Sequence, residues 1–314
     1  MTLLRLNSVS RRFGGVVAVD SVGFSIESGE IVGLMGANGA GKTTLFSLIA
    51  GNLRPTAGEI LLDDRRIDRL RPDQISGLGV ARTFQIVRPF AGLTVLENVA
   101  IGALFGSSRE KSVTRANADA RAVLEEVGLA DRAEDYANAL NLSGRKRLEI
   151  ARALATKPEF VVLDEPTSML DPSARAEILE LLQDIQKELG TAFIFISHDL
   201  TSVAKISHRI AIMYLGHIVE HAPTDIIMHS QRHPYSRALL SAVLFPDPAR
   251  PPDPYVIEGE IPTAINPKPE CPLYGRCPIR EDACRSAVPP MVEVEPDHFS
   301  ACRRWRDVAA STQA

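Results

Sequence analysis

No apolar segment of the 314-residue sequence approaches the roughly 18–20 residues that a membrane-spanning helix needs. The first residues, MTLLRLNSVSRRFGG, include charged side chains before any apolar core forms, so a secretory signal is not expected. The net charge of −4 offers no basic surface for phosphate backbones, which argues against nucleic-acid binding. These absences predict a cytoplasmic protein whose membrane association, if any, comes through a partner.

Cysteine is scarce as well, and it is confined to the end of the chain. The four cysteines are Cys271, Cys277, Cys284 and Cys302, with the spacing Cys-x5-Cys-x6-Cys-x17-Cys. In a reducing compartment a metal site explains such a cluster better than disulfides do. Four thiolates could hold zinc or an iron–sulfur cluster, although the tight Cys-x2-Cys pairs of common zinc sites are missing. Free thiols are the third interpretation.

Short apolar segments alternate with helical patterns through the first 240 residues. IVGLM (31–35), FVVL (160–163) and AFIFI (192–196) are typical of buried parallel strands. The amphipathic run SARAEILELLQDIQKEL should form a helix that ends at Gly190. This alternation predicts an α/β fold with functional groups at the carboxyl ends of its strands.

The pattern divides the chain into two predicted parts. Residues 1–244 form the α/β domain, and the almost wholly helical pattern of residues 85–155 predicts a helical subdomain inserted into it. From residue 245 the sequence is too rich in proline for helix or central strand. Residues 245–314 are therefore predicted to be a C-terminal extension, in which a linker leads to a small cysteine-containing segment.

The strongest motif is GANGAGKT (36–43), which matches the phosphate-binding loop G-x-x-x-x-G-K-[ST] between a predicted strand and a predicted helix. Its glycines allow backbone N–H groups to surround phosphate oxygens, and the following helix adds partial positive charge. Lys42 is expected to reach the β and γ phosphates, and the Thr43 hydroxyl to ligate Mg²⁺. The predicted nucleotide ligands of this region are Gly36, Asn38, Gly39, Gly41, Lys42, Thr43 and Thr44.

A second motif, FVVLDEP (160–166), places Asp164 and Glu165 at the end of an apolar strand. One carboxylate there can hold Mg²⁺, directly or through water. The other can polarise the water that attacks the γ-phosphate. The two motifs together predict ATP hydrolysis, with ATP and Mg²⁺ as the cofactors.

Together these motifs resemble the nucleotide-binding subunit of an ATP-binding cassette (ABC) importer, over essentially the whole chain. The resemblance implies a P-loop core with further site residues at fixed places. Phe13 in RRFGG would stack on adenine, and Gln85 in ARTFQ would sense Mg²⁺ and the membrane partner. Asp171 in SMLD would lie at the dimer interface, and His198 in FISHD would contact the γ-phosphate.

The family signature LSGGQ is altered in LNLSGRKRLEIARAL (140–154). An ungapped comparison keeps the following helix in register and puts Asn141, Leu142, Ser143 and Gly144 under the last four signature positions. Asn141, Ser143 and Gly144 would contact the nucleotide of the opposite cassette, whereas the Leu142 side chain would obstruct close approach. This segment is either a weakened signature that still binds or one that never supports hydrolysis.

The resemblance also implies partners, although the two halves of the chain point to different importers. GVARTFQIVRPFAGLTVLENVAIGA (79–103) is similar to branched-chain amino acid importers. HPYSRALLSAV (233–243) and the cysteine segment are similar to dipeptide and oligopeptide importers, whose extension can carry a [4Fe–4S] cluster. Peptide uptake is the preferred prediction, with amino acid uptake and a regulatory, non-hydrolysing cassette as alternatives. The implied partners are permease subunits, a second cassette and, indirectly, an external binding protein, at the cytoplasmic face of the inner membrane.

Overall fold

The computed structural model describes residues 1–84, 88–107, 112–242 and 255–310. The described strands are β1 (Thr2–Phe13), β2 (Val16–Glu27), β3 (Ile31–Met35), β4 (Ala57–Leu62), β5 (Arg65–Arg66), β6 (Val80–Arg82), β7 (Phe160–Asp164), β8 (Ala192–Ile196), β9 (Arg209–Tyr214), β10 (His217–Pro223), β11 (Val292–Glu295) and β12 (His298–Ser300). The described α-helices are α1 (Lys42–Ile49), α2 (Pro72–Ser76), α3 (Val95–Phe105), α4 (Val113–Glu126), α5 (Leu142–Leu154), α6 (Pro172–Leu189), α7 (Leu200–Ile206), α8 (Thr224–His229), α9 (Pro234–Ser241) and α10 (Trp305–Ala310). Short 3₁₀ turns occur at Ala130–Arg132, Ala137–Ala139 and Asp282–Arg285.

The centre of the fold is an eight-stranded sheet with the order β11-β12-β10-β9-β3-β8-β7-β6. Strands β9, β3, β8, β7 and β6 run parallel, and every residue of β3, β7 and β8 is buried. Continuous apolar strands of this kind are stable only where both faces of a parallel sheet are covered. The predicted α/β fold is thus confirmed, and the segments that follow β3, β7 and β8 meet at one edge of the sheet.

Most of the described residues between β6 and β7 are helical. Helices α3, α4 and α5 contribute buried aliphatic residues to a core shared with the parallel sheet, including Val99, Leu124 and Leu148. Helix α6 ends as predicted at Gly190, which takes the left-handed conformation (φ 65°) that a residue without a Cβ adopts at low cost.

A second, antiparallel sheet has the order β2-β1-β4-β5. A second hydrophobic cluster joins this sheet to the parallel one, and helix α1 lies in it through Leu45, Phe46 and Ile49, none of which is exposed. Helix α1 directly follows the phosphate-binding loop. Its burial therefore fixes that loop relative to both sheets.

The last two strands pair with the central sheet beyond β10. Strand β12 lies antiparallel to β10, and the two are joined by a fully buried contact in which His298 Nε2 donates to Glu220 Oε1 at 2.7 Å. The residues that follow the predicted linker therefore extend the sheet that carries the phosphate-binding loop. None of the helices in the four described ranges is both long and apolar enough to cross a bilayer.

Candidate active site

The loop between β3 and α1 has a backbone that only glycine permits at two positions. Gly36 has φ 152°, and a Cβ there would lie 2.2 Å from the carbonyl oxygen of Met213. Gly41 has φ 108°, and a Cβ there would lie 2.3 Å from the carbonyl oxygen of Ala18. Both glycines are thus required by backbone conformation and by close approach. The loop leads into α1, whose N-terminus has no side-chain cap and presents its N–H groups to the site.

Lys42, the first residue of α1, is buried beneath this loop. Its Nζ donates to the carbonyl oxygens of Gly36 at 2.6 Å and Ala37 at 3.0 Å. Burial lowers the pKa of Lys42, while the nearby Glu165 and Asp164 carboxylates oppose that shift. The ammonium group therefore lies between the loop and the acidic end of β7.

Asp164, the last residue of β7, is almost fully buried, with 4% of its surface exposed. Its backbone N–H donates to Thr83 Oγ1 at 3.1 Å, and Arg82 Nη2 donates to its carboxylate at 3.4 Å. Burial raises the pKa of Asp164, and the Arg82 cation acts in the opposite direction. A nearly buried carboxylate with few protein partners is chemically suited to Mg²⁺.

Glu165 and His198 contact each other directly. The Nδ1 atom of His198 lies 3.0 Å from Glu165 Oε1, and Glu165 takes a left-handed backbone (φ 49°) that is unusual for a residue with a side chain. Both line a cavity of about 450 Å³ above the loop. Its walls in the described residues are Met35, Gly36, Ala37, Asn38, Glu165, His198 and Leu239. The structure thus brings together loop residues, a carboxylate and an imidazole that the sequence predicted to act together.

The segment predicted to replace the signature lies at the start of α5. Asn141 is the N-cap residue, and its Oδ1 accepts the N–H of Gly144 at 2.8 Å. Leu142 follows with 41% of its surface exposed. Among the described residues, the walls of the 450 Å³ cavity include none of Asn141, Ser143 or Gly144. The start of α5 is therefore not part of the described wall of this cavity.

The remaining predicted residues are not among the described walls of that cavity, or they fall outside the described residues. Asp171 is the N-cap of α6 and accepts the N–H groups of Ser173 and Ala174, each at 3.0 Å. Phe13, at the end of β1, is 43% exposed with the Arg11 guanidinium 4.5 Å from its ring centre. Thr43 and Thr44 lie in the first turn of α1. Gln85 falls outside the described residues, so its predicted place at this site stays a prediction.

The structure adds site neighbours that motif reading did not identify. Lys146 of α5 is 3% exposed, and its Nζ donates to the carbonyl oxygen of Glu165 at 3.1 Å. Arg82 reaches Asp164 because β6 and β7 are adjacent parallel strands, so recognising VAR (80–82) as a strand would have predicted the contact. Tyr235 of α9 accepts the N–H of Ala37 at 2.9 Å. No local pattern signals this last contact.

The cysteines lie together around a small cavity of about 20 Å³ near the C-terminus. Cys271, Cys277, Cys284 and Cys302 all line it, with Leu273, Ile279 and other residues. Burial raises the pKa of Cys271 to about 11 and of Cys302 to about 12, so both are neutral thiols in this arrangement. Within the described ranges, no group of three or more His, Cys, Asp or Glu side chains is arranged to hold a metal ion.

Comparison with known protein families gives two matches along the chain. The ABC transporter family matches residues 19–168, which include the loop, Asp164 and Glu165. The C-terminal region of oligopeptide/dipeptide transporters matches residues 219–284, which include α9 and three of the cysteines.

Individual relatives extend this likeness to most of the chain. A protein named as a peptide import ATP-binding protein of Brucella ovis is 38% identical over 289 residues, which cover 91% of each chain. An oligopeptide transport ATP-binding protein of Bacillus subtilis is 33% identical over 309 residues, covering 96% of this chain and 94% of the relative.

Solved structures agree with this assignment. The ADP conformation of an ATP-binding cassette from an ABC transporter has a TM-score of 0.70 and 27% identity, covering 77% of this chain and 100% of that cassette. A dimeric bacterial ABC transporter cassette has a TM-score of 0.64 and 27% identity, covering 71% of this chain and 99% of that cassette. The chain therefore belongs to the ABC transporter family, as an ATPase of the ATP-binding cassette type with an oligopeptide/dipeptide transporter C-terminal region.

Proposed function

We propose that this ATPase energises peptide uptake as the cytoplasmic subunit of an ABC importer. The single observation that carries the catalytic part is the cavity that Gly36, Ala37, Asn38, Glu165 and His198 share. Peptides are favoured over branched-chain amino acids because the relatives described above are named for peptide or oligopeptide transport. In addition, residues 219–284 match the C-terminal region of oligopeptide/dipeptide transporters.

The proposed chemistry assigns roles to groups in the cavity and to neighbouring residues of the phosphate-binding loop, α1 and β7. The N–H groups of the loop and the N-terminus of α1 bind the phosphates, and Lys42 exchanges its carbonyl partners for the β and γ phosphates. Thr43 and Asp164 would hold Mg²⁺, with Gln85 as a further ligand. Glu165 takes the proton of the attacking water, and His198, 3.0 Å away, orients that carboxylate and contacts the γ-phosphate.

Two cassettes are needed to complete each site in this proposal. The start of α5 does not line the cavity of its own chain, so Asn141, Ser143 and Gly144 would meet the nucleotide of a facing cassette. Asp171 and the 90% exposed Met169 lie on a loop that would cross the same interface. Phe13 would stack on adenine, for which its exposed ring is available.

The altered signature leaves a second candidate function open, a regulatory cassette that binds ATP and leaves turnover to a sister subunit. Leu142 favours it, because an exposed side chain stands at the first helical position, where the signature glycine would let the backbone approach phosphate. Asn141 favours hydrolysis instead. It caps the helix as a signature serine would, by accepting the N–H of Gly144.

Turnover by the purified chain separates these candidates. We expect Mg²⁺-dependent ATP hydrolysis that falls about 10²–10⁴-fold in Glu165→Gln, because the amide cannot accept the proton of water. The Glu180→Gln variant is the matched control, since Glu180 is an exposed residue of α6 paired with Lys205. If the chain binds ATP without hydrolysing it, and addition of a sister cassette restores turnover, the regulatory function is supported. Absence of ATP binding would contradict both candidates.

A groove of about 320 Å³ between the sheet and the helical region supports a membrane partner. Among its lining residues are Phe84, Phe105 and Arg152, and Phe84 and Phe105 are 55% and 76% exposed. An apolar groove beside the segment that leads to Gln85 is suited to a helix of a permease subunit. We propose that this contact holds the chain at the inner face of the membrane, with an external binding protein on the far side of the permease.

Co-fractionation tests this placement. Phe105→Asp should reduce recovery of the chain with membranes that contain the permease, while Leu189→Asp, at another exposed site at the end of α6, should not. Equal recovery of both variants would contradict docking at this groove.

The division into residues 1–244 and 245–314 also stays a proposal, since its boundary lies outside the described residues.

For the cysteines we propose a [4Fe–4S] cluster with a structural role. Support comes from the four thiols that line one cavity. Four cysteine thiolates are the usual ligands of such a cluster. Anaerobic purification with an absorbance scan and an iron assay tests the idea. Colourless, iron-free protein would contradict it, and zinc in its place would favour the alternative.

A further inference from the structure

Helix α9 forms part of the wall of the nucleotide cavity, although it belongs to the C-terminal region. The Tyr235 hydroxyl oxygen lies 2.9 Å from the Ala37 nitrogen and accepts its N–H. One turn later, Leu239 lines the same cavity as Glu165 and His198. The HPYSRALLSAV motif therefore meets the phosphate-binding loop, a contact that the proposed hydrolysis mechanism does not use.

The peptide bond that Tyr235 contacts is also the one that Lys42 contacts. The Ala37 N–H and the Gly36 carbonyl belong to one planar trans peptide, in which they point in opposite directions. Tyr235 holds the N–H end, and Lys42 Nζ donates to the carbonyl end at 2.6 Å. Fixing one end of this plane fixes the other, so Tyr235 controls the orientation of a group that Lys42 must leave when it binds phosphate.

Tyr235 is itself held in place by buried groups. Its backbone N–H donates to His233 Nδ1 at 3.1 Å, and only 7% of its surface is exposed. The buried carboxylate of Glu220 accepts the N–H groups of Arg232 and His233 just before the helix begins. The start of α9 is therefore held in place by hydrogen bonds to buried groups.

The contact continues into the cysteine segment. The Tyr235 ring packs against Tyr214 with ring centres 4.5 Å apart, and Arg276 Nη1 donates to the Tyr214 hydroxyl at 3.4 Å. Arg276 directly precedes Cys277, and its Nε donates to the carbonyl oxygen of Gly259 at 3.0 Å. A continuous series of contacts thus connects the cysteine segment with the phosphate-binding loop.

We propose that Tyr235 is a positioning residue for the phosphate-binding loop, through which the C-terminal segment sets the affinity of the site for ATP. The inference rests on the proposed ATP-binding function. Tyr235 touches the loop backbone and no reacting atom, so it should act on nucleotide affinity and leave the chemical step unchanged at saturating ATP.

The test is Tyr235→Phe in the full chain, measured by calorimetric titration with the non-hydrolysable analogue AMP-PNP and Mg²⁺. Loss of one hydrogen bond to a loop amide should weaken binding about two- to tenfold. Turnover at saturating ATP should stay at the wild-type value while KM rises. Tyr255→Phe is the matched control, because the Tyr255 hydroxyl is buried without a hydrogen-bond partner among the described residues. This control should bind like wild type.

Each result decides the proposal. Weaker binding in Tyr235→Phe alone, with wild-type turnover at saturating ATP, supports it. Equal affinities in wild type and Tyr235→Phe, equal losses in both variants, or a lower maximal rate without a change in affinity would overturn it and leave the proposed function intact. Failure of the wild-type chain to bind AMP-PNP would overturn the proposed function together with this inference.

Discussion

At the residue scale, the site depends on how buried charges compensate one another. Lys42, Asp164 and Lys146 are each more than nine-tenths buried, and none is an isolated charge. Lys42 and Lys146 donate to backbone carbonyls, and Asp164 accepts from Arg82. Since an unpaired buried charge is costly, each of these groups depends on its neighbours to stay ionised.

Arg82 offers a test of this dependence. Burial raises the pKa of Asp164 and the Arg82 cation lowers it, so Arg82→Met should raise that pKa further. A higher pKa means that less Asp164 is ionised at a given acidic pH, and Mg²⁺ binding needs the ionised form. The acidic limb of the turnover–pH profile should therefore move to higher pH, and more Mg²⁺ should be needed there.

The control for this experiment is Arg71→Met, which removes an exposed arginine paired with Asp73 at 2.8 Å. Its turnover–pH profile should match the wild type. A profile of Arg82→Met that superimposes on the wild type would show that Arg82 does not govern the charge of Asp164.

At the element scale, helix α5 and strand β12 are placed by single polar residues at their ends. Asn141 caps α5, and His298 of β12 donates to the buried Glu220 of β10. The α5 cap is local, because Asn141 and Gly144 are neighbours in one turn. The β10–β12 contact joins residues 78 positions apart and depends on the pairing of the sheet.

Leu142→Gly tests the obstruction at the start of α5. Removing this exposed side chain should let the helix N-terminus approach phosphate, so turnover should rise. The expected cost is about 1 kcal/mol of helix stability. Leu189→Gly, at the exposed end of α6, controls for that cost and should leave turnover unchanged. Unchanged or lower turnover in Leu142→Gly would argue that the side chain is no obstacle.

Glu220→Gln tests the contact between β10 and β12. The Glu220 carboxylate accepts three donors, namely the N–H groups of Arg232 and His233 and the His298 ring, and an amide can accept with one oxygen only. The free energy of unfolding should fall by about 1.5–3 kcal/mol, measured by urea denaturation. Glu293→Gln, at an exposed site on β11, should change it little. Equal stabilities would show that the buried contact contributes nothing net.

At the scale of the whole molecule, the C-terminal segment is continuous with the cassette. Strands β11 and β12 extend the sheet that carries the loop, and Leu273 and Cys277 pack in the same hydrophobic core as α3 to α6. Unfolding this segment would therefore expose the cassette core. We infer that both parts unfold as one unit at moderate pH.

The stability of the folded chain should depend on pH through its buried histidines. Burial lowers the pKa of His221 to about 4 and of His233 to about 3, below the unfolded value of 6.5. The unfolded chain therefore binds more protons than the native one below pH 6.5, so stability falls as the pH drops from about 6.5 towards 4. Each histidine should contribute about 1.4 kcal/mol per pH unit within this window.

Urea denaturation at pH 7.5 and 5.5 measures the effect. His221→Phe keeps the stacking on Phe299, whose ring centre lies 4.6 Å away, and should show a smaller loss of stability at pH 5.5. His229→Gln, at an exposed position of α8, should lose as much as the wild type. An equal loss in wild type and His221→Phe would contradict the assignment to His221.

The sequence by itself determined the features that depend on neighbouring residues. The loop 36–43, the acidic end of β7, the strands β3, β7 and β8 and the helix stop at Gly190 all follow from local spacing, because backbone geometry and hydrophobic period act over a few residues. The family could be recognised from the sequence for the same reason, since its motifs are short and occur in a fixed order along the chain.

Only the tertiary structure decided which distant groups meet. Tyr235 reaches Ala37 across 198 positions, and Arg82 reaches Asp164 across 82. Strand β12 joins the central sheet instead of remaining in a separate tail. Such contacts are set by the order of strands in the sheet and by the packing of helices on it, and no local pattern encodes that order. For this reason the sequence identified the motifs of the candidate active site, and only the fold showed which distant residues contact them.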